Sequence, residues 1–390
     1  MRVDPDPVMP RLSSSIPRRP RRIPSPGRRL LLAVLAAAAT PLFAQTPDQV
    51  LVVVNRQSPA SREIGEYYLR KRGVPLKNLC AIDTAPLETI QRGIYDQQIE
   101  APVAAFLRAN GLIEKILYIA TTKGVPLRIE STGGKELNDS AASVDSELTL
   151  VYQHLHGVTT TLRGSVPNPF FRLRDTPFRH PLIPMYMVTR LDAYDVATVK
   201  RMIDRSLAAR NVGRFVIDGK ADDSTEGNQW LRTAALLLPK DRVILDDSAA
   251  VMTNQKQVIA YASWGSNDRN HTQRFLHNEW LPGAIATEFV STDGRTMKRP
   301  PDTWKITTWT DRAGWFEGAP QSMAGDYLEE GASAASGQAW EPYLYFCPHP
   351  DFVLPAYSQG RTLAESFYMG LPGLSWMNVI FGDPLMRLAD

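Results

Sequence analysis

The sequence predicts an α/β fold with a mainly parallel sheet and helices on both faces of the sheet. Two features lead to this prediction. Several apolar runs contain no polar residue, which is typical of parallel strands that are buried on both sides. Helical patterns separate these runs, as they do in successive βαβ units. In a chain that is 43% hydrophobic, residues 45–390 are numerous enough to bury a large core.

The first βαβ unit begins at residue 50. The largely apolar run at residues 49–55 predicts a strand, and the pattern that follows it predicts a helix that Gly73 ends. Ser58 is a suitable N-cap for this helix, and Pro59 fits the first helical turn, where no amide donor is needed. The run Leu79–Ile82 predicts the second strand.

The same alternation continues along the chain, apart from a stretch rich in loops, residues 128–182. Further strands are predicted at residues 115–120, 184–188, 214–218, 242–246, 256–262 and 283–290, and just before Gly382. Further helices are predicted at residues 97–110, 195–208, 228–238, 323–328 and 362–369. We expect one domain over residues 45–390, or two subdomains at about 45–180 and 181–390.

Residues 1–44 have the pattern of a signal peptide that is removed on export. Eight arginines lie in the first thirty residues, and the uncharged run Leu30–Ala39 follows them. This run is shorter than the roughly 20 residues that span a bilayer, and the segment ends on a small residue, Ala44. Two alternatives stay open: an uncleaved anchor, since Leu42 is bulky for its position, and a twin-arginine signal at Arg28-Arg29. We expect cleavage after Ala44, export to the periplasm or cell surface, and no membrane span in the mature chain.

The charge of the chain does not point to nucleic acid as a partner. The formal net charge is +3, but residues 1–44 contain eight Arg against two Asp, so the mature chain is at about −3. Its two cysteines, Cys80 and Cys347, exclude a framework of several disulfides and allow at most one bridge. Cys80 follows Asn78-Leu79 in a predicted strand, which favours a buried free thiol.

Polar residues follow most of the predicted strands. Open parallel sheets bind ligands beyond the carboxyl ends of their strands, so we expect these residues to share one edge. They are Asn55, Thr121, Thr122, Lys123, Arg190, Asp192, Asp218, Asp222, Asp223, Asp246, Asp247, Ser263 to Asp268, and Ser291 to Asp293. The acidic ones suit a hard cation, a basic substrate or an acid/base pair. Each Asp could equally cap a helix or form a turn.

The segment Ser263–Asp268 is the most polar turn of the chain. It places an aromatic side chain, Trp264, beside groups that donate and accept hydrogen bonds, a combination typical of binding clefts. A tight structural turn is the alternative. The predicted ligand-binding cleft contains Asp218, Asp246, Ser263, Trp264, Asn267, Asp268 and Ser291. The sequence identifies no cofactor.

Neither a metal site nor a thiol nucleophile is indicated by the remaining motifs. The six histidines show no spacing typical of metal ligands, so no metal site is predicted. Cys347 and His349 are close in sequence, but this alone does not bring thiol and imidazole into hydrogen-bond reach, and the flanking prolines restrict the backbone. A loop with an incidental thiol is the favoured interpretation.

Several segments spread over the mature chain carry a family resemblance. They are Val50–Asn55 with Ser58, Glu66–Tyr68, Arg72–Pro75, Asn78–Cys80, Lys123–Ile129, Ala142–Leu148, Trp264–Asp268, Glu341–Leu344, Ala364–Tyr368 and Gly382–Leu385. Together they resemble an uncharacterised family of exported bacterial proteins found in species that carry exosortase, an envelope sorting system. The resemblance implies an envelope context and no established activity.

The order of elements also resembles the gingipain branch of the caspase-like cysteine peptidases. In that branch a His-Gly follows one strand, a Cys follows the next, and Gly-Asp-Pro closes the domain, as Gly382-Asp383-Pro384 does here. Trp264 stands where the general-base His is expected, and Val290 or Ser291 stands where the nucleophilic Cys is expected. The resemblance therefore implies the fold, and the missing dyad argues against cysteine peptidase chemistry.

The sequence thus predicts an exported protein with a caspase-like fold that lacks the peptidase dyad. We expect it to bind a ligand or an envelope protein in envelope or exopolysaccharide biology. The alternative is a hydrolase with a rearranged acidic site, in which Asp218, Asp246 and Asp268 surround a metal or a water. A purely structural envelope role is third. Convergence of the three carboxylates would favour the hydrolase, and their use as caps would favour the other two.

Overall fold

One ten-stranded sheet runs through the part of the chain that the computed structural model describes, residues 45–132, 140–160, 164–221 and 225–389. The predicted signal peptide, Asp222 and Asp223 lie outside these residues. The strands are β1 (Val50–Asn55), β2 (Leu79–Ile82), β3 (Thr89–Ile90), β4 (Tyr118–Thr122), β5 (Arg128–Ile129), β6 (Ala142–Ser143), β7 (Val166–Pro167), β8 (Met187–Leu191), β9 (Arg214–Asp218), β10 (Val243–Asp246), β11 (Val258–Ser263), β12 (Trp280–Glu288), β13 (Ala334–Gln338), β14 (Gly373–Leu374) and β15 (Asn378–Phe381). The helices are α1 (Pro59–Arg72), α2 (Arg92–Tyr95), α3 (Ala101–Ala109), α4 (Val144–Leu148), α5 (Val151–Leu155), α6 (Val196–Leu207), α7 (Glu226–Leu237), α8 (Ala324–Glu330), α9 (Pro350–Ser358) and α10 (Leu363–Gly370).

The strands of the large sheet are arranged in the order β10-β9-β11-β12-β13-β15-β8-β4-β1-β2. Neighbouring strands pair in parallel, except that β13 and β15 are antiparallel. The predicted α/β class and mainly parallel sheet are therefore confirmed. Two smaller sheets, β14-β7 and β3-β5-β6, are built from short strands.

The antiparallel pair divides the large sheet into two half-sheets whose strands run in opposite directions. The first half-sheet is β2-β1-β4-β8, which β15 extends, and the second is β10-β9-β11-β12, which β13 extends. The carboxyl ends of the two sets therefore lie at opposite edges. The expectation that all polar strand ends share one edge is wrong, because the sequence does not reveal this reversal of direction. The strand β8 pairs with β4 in the first half-sheet although it follows residue 180.

Alternate residues of β1 face two different layers of the core. Val50, Val52 and Val54 pack in a cluster that includes buried residues of α1 and α6. Leu51 and Val53 pack in another cluster, which includes buried residues of α3, α4 and α5. Helices therefore cover both faces of the first half-sheet, which explains why its strands are apolar throughout. None of the described helices is both long and apolar enough to cross a bilayer.

The sequence-predicted ends of α1 are confirmed. The Ser58 hydroxyl accepts a hydrogen bond from the backbone amide of Ser61 and caps the helix start. Gly73 ends the helix with φ of 75°, a left-handed conformation that glycine adopts without a Cβ clash. At α10, Thr362 and Glu365 form a reciprocal capping box.

Several elements depart from the predicted pattern. The strands β4 and β8 begin later than predicted, at Tyr118 and Met187. The strand β13 was missed because its sequence, Ala-Ala-Ser-Gly-Gln, lacks β-branched and aromatic residues. The helices α4 and α5 lie inside the stretch predicted as loop-rich, and α9 begins at Pro350 in a segment whose prolines discourage a helical prediction.

Candidate functional site

The strands β11 and β12 end side by side, with Ser263 and Glu288 as register partners. The next residues, Trp264 and Phe289, pack against each other with their ring centroids 5.1 Å apart. Gly265 follows with φ of 50°, and a Cβ at this position would clash with the Glu288 carboxylate. The turn is therefore closely packed against the end of the neighbouring strand.

Trp264 is buried, and both its ring nitrogen and its ring face contact other residues of the chain. Its indole Nε1 donates a hydrogen bond of 2.7 Å to Oδ1 of Asn228 at the start of α7. The Lys220 ammonium lies 3.7 Å from the centroid of the indole ring. A Cβ at Gly227 would clash with the same ring, so α7 approaches it as closely as a glycine allows. Trp264 acts here as a packed anchor between α7 and the strand ends.

The polar side chains of the turn are engaged within the protein as well. Asn267 Nδ2 donates to the carbonyl of Phe289 at 2.5 Å, and its Oδ1 accepts from Nε2 of Gln321 at 2.8 Å. Asp268 Oδ1 accepts from the backbone and side-chain amides of Asn270 at 2.9 and 3.1 Å. Ser263 Oγ accepts from the amide of Gly265 at 3.0 Å. These contacts fix the shape of the turn.

The three carboxylates of the predicted acidic site have separate partners. Asp218 Oδ2 accepts from the amide of Met252 and from the Tyr261 hydroxyl, at 3.0 and 2.8 Å, and burial raises the pKa of Asp218 to about 6. Asp246 is its register partner on β10 and accepts from the amide of Ser248.

Asp246 and Asp268 therefore serve as turn formers, and Asp218 ties β9 to β11 and to the segment after β10. Within residues 45–132, 140–160, 164–221 and 225–389, no group of three or more His, Cys, Asp or Glu has an arrangement that could hold a metal ion. Ser291, the last predicted residue, is buried and donates its amide to Gln321 Oε1 at 3.3 Å.

Two buried carboxyls outside the predicted cleft, Glu288 and Asp293, lie at the same strand end. Glu288 Oε2 accepts from the Ser322 hydroxyl at 2.6 Å, and its Oε1 has no hydrogen-bond partner. Asp293 Oδ1 accepts from the amide of Gln338 at 2.7 Å, and its Oδ2 also lacks a partner. Burial raises the pKa of both groups, and the charge of Glu288 raises the pKa of Asp293 further. The signal for Glu288 was its position in an otherwise apolar run.

His271 lies near both acidic strand ends. The imidazole is buried, its Nε2 has no partner, and its charge would lower the pKa of Asp218 and of Glu288. Tyr327 of α8 also lies against Glu288. A buried imidazole whose charge acts on two buried carboxyls makes this group of side chains a candidate for acid/base work.

Cys347 and His349 do not form a pair. The Cys347 thiol is buried, and burial, followed by the charges of Asp293 and Glu341, raises its pKa. His349 Nε2 donates to the carbonyl of Tyr345 at 2.9 Å. Its ring stacks on Trp230 at 3.8 Å between centroids, and burial lowers its pKa to about 4. Cys80 and Cys347 are both buried free thiols.

Comparisons with known proteins give two similar structures. No protein-family model matches the chain, and no curated protein sequence matches it. The complex of the pro- and mature domains of RgpB from Porphyromonas gingivalis is similar at a TM-score of 0.43 and 11% identity, over 87% of this chain and 79% of that chain. A structure described only as that of a protease is similar at a TM-score of 0.42 and 10% sequence identity, over 88% of this chain and 79% of that chain. Both similarities are too distant to bear on the activity of this chain.

Proposed function

We propose that the protein is exported and binds a ligand or an envelope partner, in envelope or exopolysaccharide biology, without acting as a cysteine peptidase. The observation that carries this proposal is the aromatic pair Trp264 and Phe289. It follows the paired ends of β11 and β12. Trp264 stands where the gingipain resemblance implies the imidazole, and Phe289 directly precedes Val290 and Ser291, where it implies the thiol. Packed rings cannot activate a nucleophile, whereas a thiol-imidazole pair within hydrogen-bond reach can.

The absence of peptidase activity is tested with a mixed peptide library and a thiol-reactive peptidyl probe, with an active gingipain beside the protein. We expect no cleavage and no labelling of the folded protein. Cleavage that disappears on Cys347→Ala would contradict the proposal.

Binding is tested with polysaccharide fractions of the native host. We expect the immobilised folded protein to retain a fraction that heat-unfolded protein does not retain. Equal retention by both forms would count against a specific site.

Export is tested separately, by amino-terminal sequencing of protein recovered from the envelope fraction. Because the apolar run before Ala44 is short and follows an arginine cluster, we expect the chain to begin at Gln45. An intact Met1 on most molecules, or a cytoplasmic pool, would contradict export with cleavage.

A hydrolase with an acidic site is the second candidate function, and it is supported by Glu288 and Asp293. Each of these buried carboxyls keeps one oxygen without a partner, and their interaction raises the pKa of Asp293. Two carboxyls with separated pKa values can divide the roles of acid and base. Release of reducing ends from host exopolysaccharide, reduced at least about 100-fold by Glu288→Gln, would support this candidate. No release by the wild-type protein would remove it.

A further inference from the structure

The helical segment formed by α2, a π-helical turn and α3 has an unusual local geometry. The π-helical turn occupies Asp96–Glu100, between α2 and α3. Pro102 in the first turn of α3 has no amide hydrogen for the preceding turn, which explains the widening. The spacing of four residues places Arg92, Asp96 and Glu100 along one side of the segment. Turns of this kind are rare and frequently lie at functional sites.

A cavity of about 300 Å³ lies against this side of the segment. Its walls include Arg92, Asp96, Glu100, Glu147, His154 and Thr160. The volume is at the lower end of the range for small-molecule sites. Apart from Gly157 and Val158, its lining residues carry charged, imidazole or hydroxyl side chains.

Arg92 forms part of the cavity wall and is only 7% exposed. Its Nη2 donates to Glu147 Oε1 at 2.9 Å and to the carbonyl of Ser140 at 3.2 Å. Its Nε and Nη1 are buried and have no acceptor among the described residues. Buried guanidinium donors are almost always paired, because an unmet donor loses its water without compensation. A rotation of the Arg92 side chain would bring these covered donors to a ligand oxygen in the cavity, which would supply the missing acceptor.

The second basic side chain of the cavity, His154, already has partners. His154 Nδ1 lies 2.6 Å from Glu100 Oε1, and its Nε2 lies 2.9 Å from the Thr160 hydroxyl. The hydrogen bond to Glu100 is the main cause of a raised pKa for His154. The His154 imidazole and the Glu100 carboxylate thus fix each other's position through this hydrogen bond.

Asp96 leaves the cavity with a surplus of negative charge. Glu147 is paired with Arg92 and Glu100 with His154, whereas Asp96 is an exposed third carboxylate. Burial, opposed by Arg92 and reinforced by the charges of Glu100 and Glu147, raises the pKa of Asp96. A positive group on a ligand would relieve this repulsion.

We propose that this cavity binds a small molecule that carries both an ammonium group and an oxygen acceptor, with the ammonium beside Asp96 and the acceptor facing Arg92. An anion without an ammonium group would be repelled by the Asp96 carboxylate. An amine without an oxygen acceptor would leave the Arg92 donors without a hydrogen-bond partner. Amino acids and amino sugars both have the required chemistry. The site is built from other elements than the strand ends of β11 and β12, so it stands or falls independently of the function proposed above.

The test is isothermal titration of the purified full chain with D-glucosamine, L-alanine, D-glucose and propionate. We expect saturable binding of glucosamine or alanine, and which of the two binds more tightly distinguishes an amino sugar from an amino acid. Glucose lacks the ammonium and propionate lacks it too, so each should bind at least about tenfold more weakly than its ammonium-bearing counterpart.

Two variants test the roles of the residues. Asp96→Asn should weaken binding of the ammonium ligand about tenfold or more, because it removes a charge-assisted contact at an exposed position. Arg92→Lys should also weaken it, because lysine lacks the guanidinium donors that face the ligand oxygen. The matched control, Asp204→Asn on the exposed side of α6, should leave affinity unchanged.

Three results would overturn the proposal. They are no binding of either ammonium ligand, glucose binding as tightly as glucosamine, or an unchanged affinity in Asp96→Asn. Since Asp96 is exposed, that variant should fold, and it decides the matter even if Arg92→Lys does not fold.

Discussion

The two half-sheets have the same strand order but opposite chemistry at their third and fourth strands. In chain order each half-sheet is arranged second-first-third-fourth, as β2-β1-β4-β8 and as β10-β9-β11-β12. The residues after the third and fourth strands are Lys123 and Asp192 in the first half-sheet, with Nζ and Oδ1 3.2 Å apart. The equivalent residues in the second are Trp264 and Phe289. A glycine with positive φ follows in both cases, Gly124 and Gly265.

The half-sheets also differ in how their buried charges are paired. Arg190, at the end of β8, is fully buried and holds Asp145 through two hydrogen bonds of 2.8 and 2.7 Å. In the second half-sheet, by contrast, Asp218 and Glu288 are buried with no ion-pair partner among the Lys and Arg that the structure describes, and burial raises the pKa of both. Two half-sheets with the same strand order therefore differ in their buried charges. One contains a paired arginine and carboxylate, and the other contains carboxyls whose burial is not offset by an ion pair. Unmatched carboxyls are retained for proton chemistry or tolerated as a cost to stability.

The largest expected effect comes from breaking the matched pair. Arg190→Met removes two hydrogen bonds to Asp145 and two to the carbonyls of Val125 and Pro126, and it leaves a buried carboxylate alone. We expect a loss of about 3–5 kcal/mol in the free energy of unfolding, measured by denaturant titration. Arg299→Met, which breaks an exposed ion pair, should cost less than about 1 kcal/mol. Equal losses would show that Arg190 is not a matched buried charge.

The second effect compares a buried closing turn with the turn at Ser263–Asp268. Asp383 is fully buried and accepts from the Tyr68 hydroxyl, from Arg72 and from the amide of Leu385. Asp383→Ala should therefore cost about 3 kcal/mol.

Asn267→Ala and Asp268→Ala remove hydrogen bonds at the turn Ser263–Asp268. Each should lower the free energy of unfolding by about 1–2 kcal/mol. If the turn binds a ligand, these two variants lose binding without a matching fall in melting temperature. If their melting temperatures fall as far as that of Asp383→Ala, the turn is structural.

The sequence predicted the fold better than the site because local patterns determine strands and helices, whereas contacts between distant segments determine a site. The caps of α1 and the apolar run of β1 are local, and both were predicted correctly. The reversal between β13 and β15 depends on which strands become neighbours, and no residue in either strand signals it. The hydrogen bond from Trp264 to Asn228 joins residues 36 positions apart, so the sequence pattern around Trp264 could not predict it. Glu288 did have a local signal, as a charged residue in an apolar run.

The third effect is a pH dependence that the buried Asp218 carboxyl of the second half-sheet should produce. Below about pH 4 the Asp218 carboxyl is protonated in the folded and unfolded protein alike. Between that pH and its folded pKa of about 6, only the folded protein holds the proton, so stability falls as the pH rises and then levels off. Relative to wild type, Asp218→Asn should remove about 3 kcal/mol of this decline.

The matched control for that measurement is Asp204→Asn. Burial opposes the hydrogen bonds from Lys71 and Tyr67, but together these bonds lower the pKa of Asp204. Its stabilising contribution is therefore present above the unfolded pKa and lost as the pH falls, the opposite sign. Unfolding titrations of the three proteins from about pH 2 to pH 7 separate the cases, and identical curves for wild type and Asp218→Asn would show that Asp218 is not held protonated by burial.

The smallest effect concerns the two thiols, one associated with each half-sheet. Cys80 lies in β2, and burial raises its pKa to about 12. Cys347 lies near Asp293, and burial raises its pKa as well. Because the thiolate is the reactive form, both should resist alkylation at pH 8 until the protein unfolds. Cys80→Ala and Cys347→Ala should each cost about 1 kcal/mol and leave binding unchanged. Rapid alkylation of Cys347 in the folded protein, with a parallel loss of function, would instead assign the thiol a role at the strand ends.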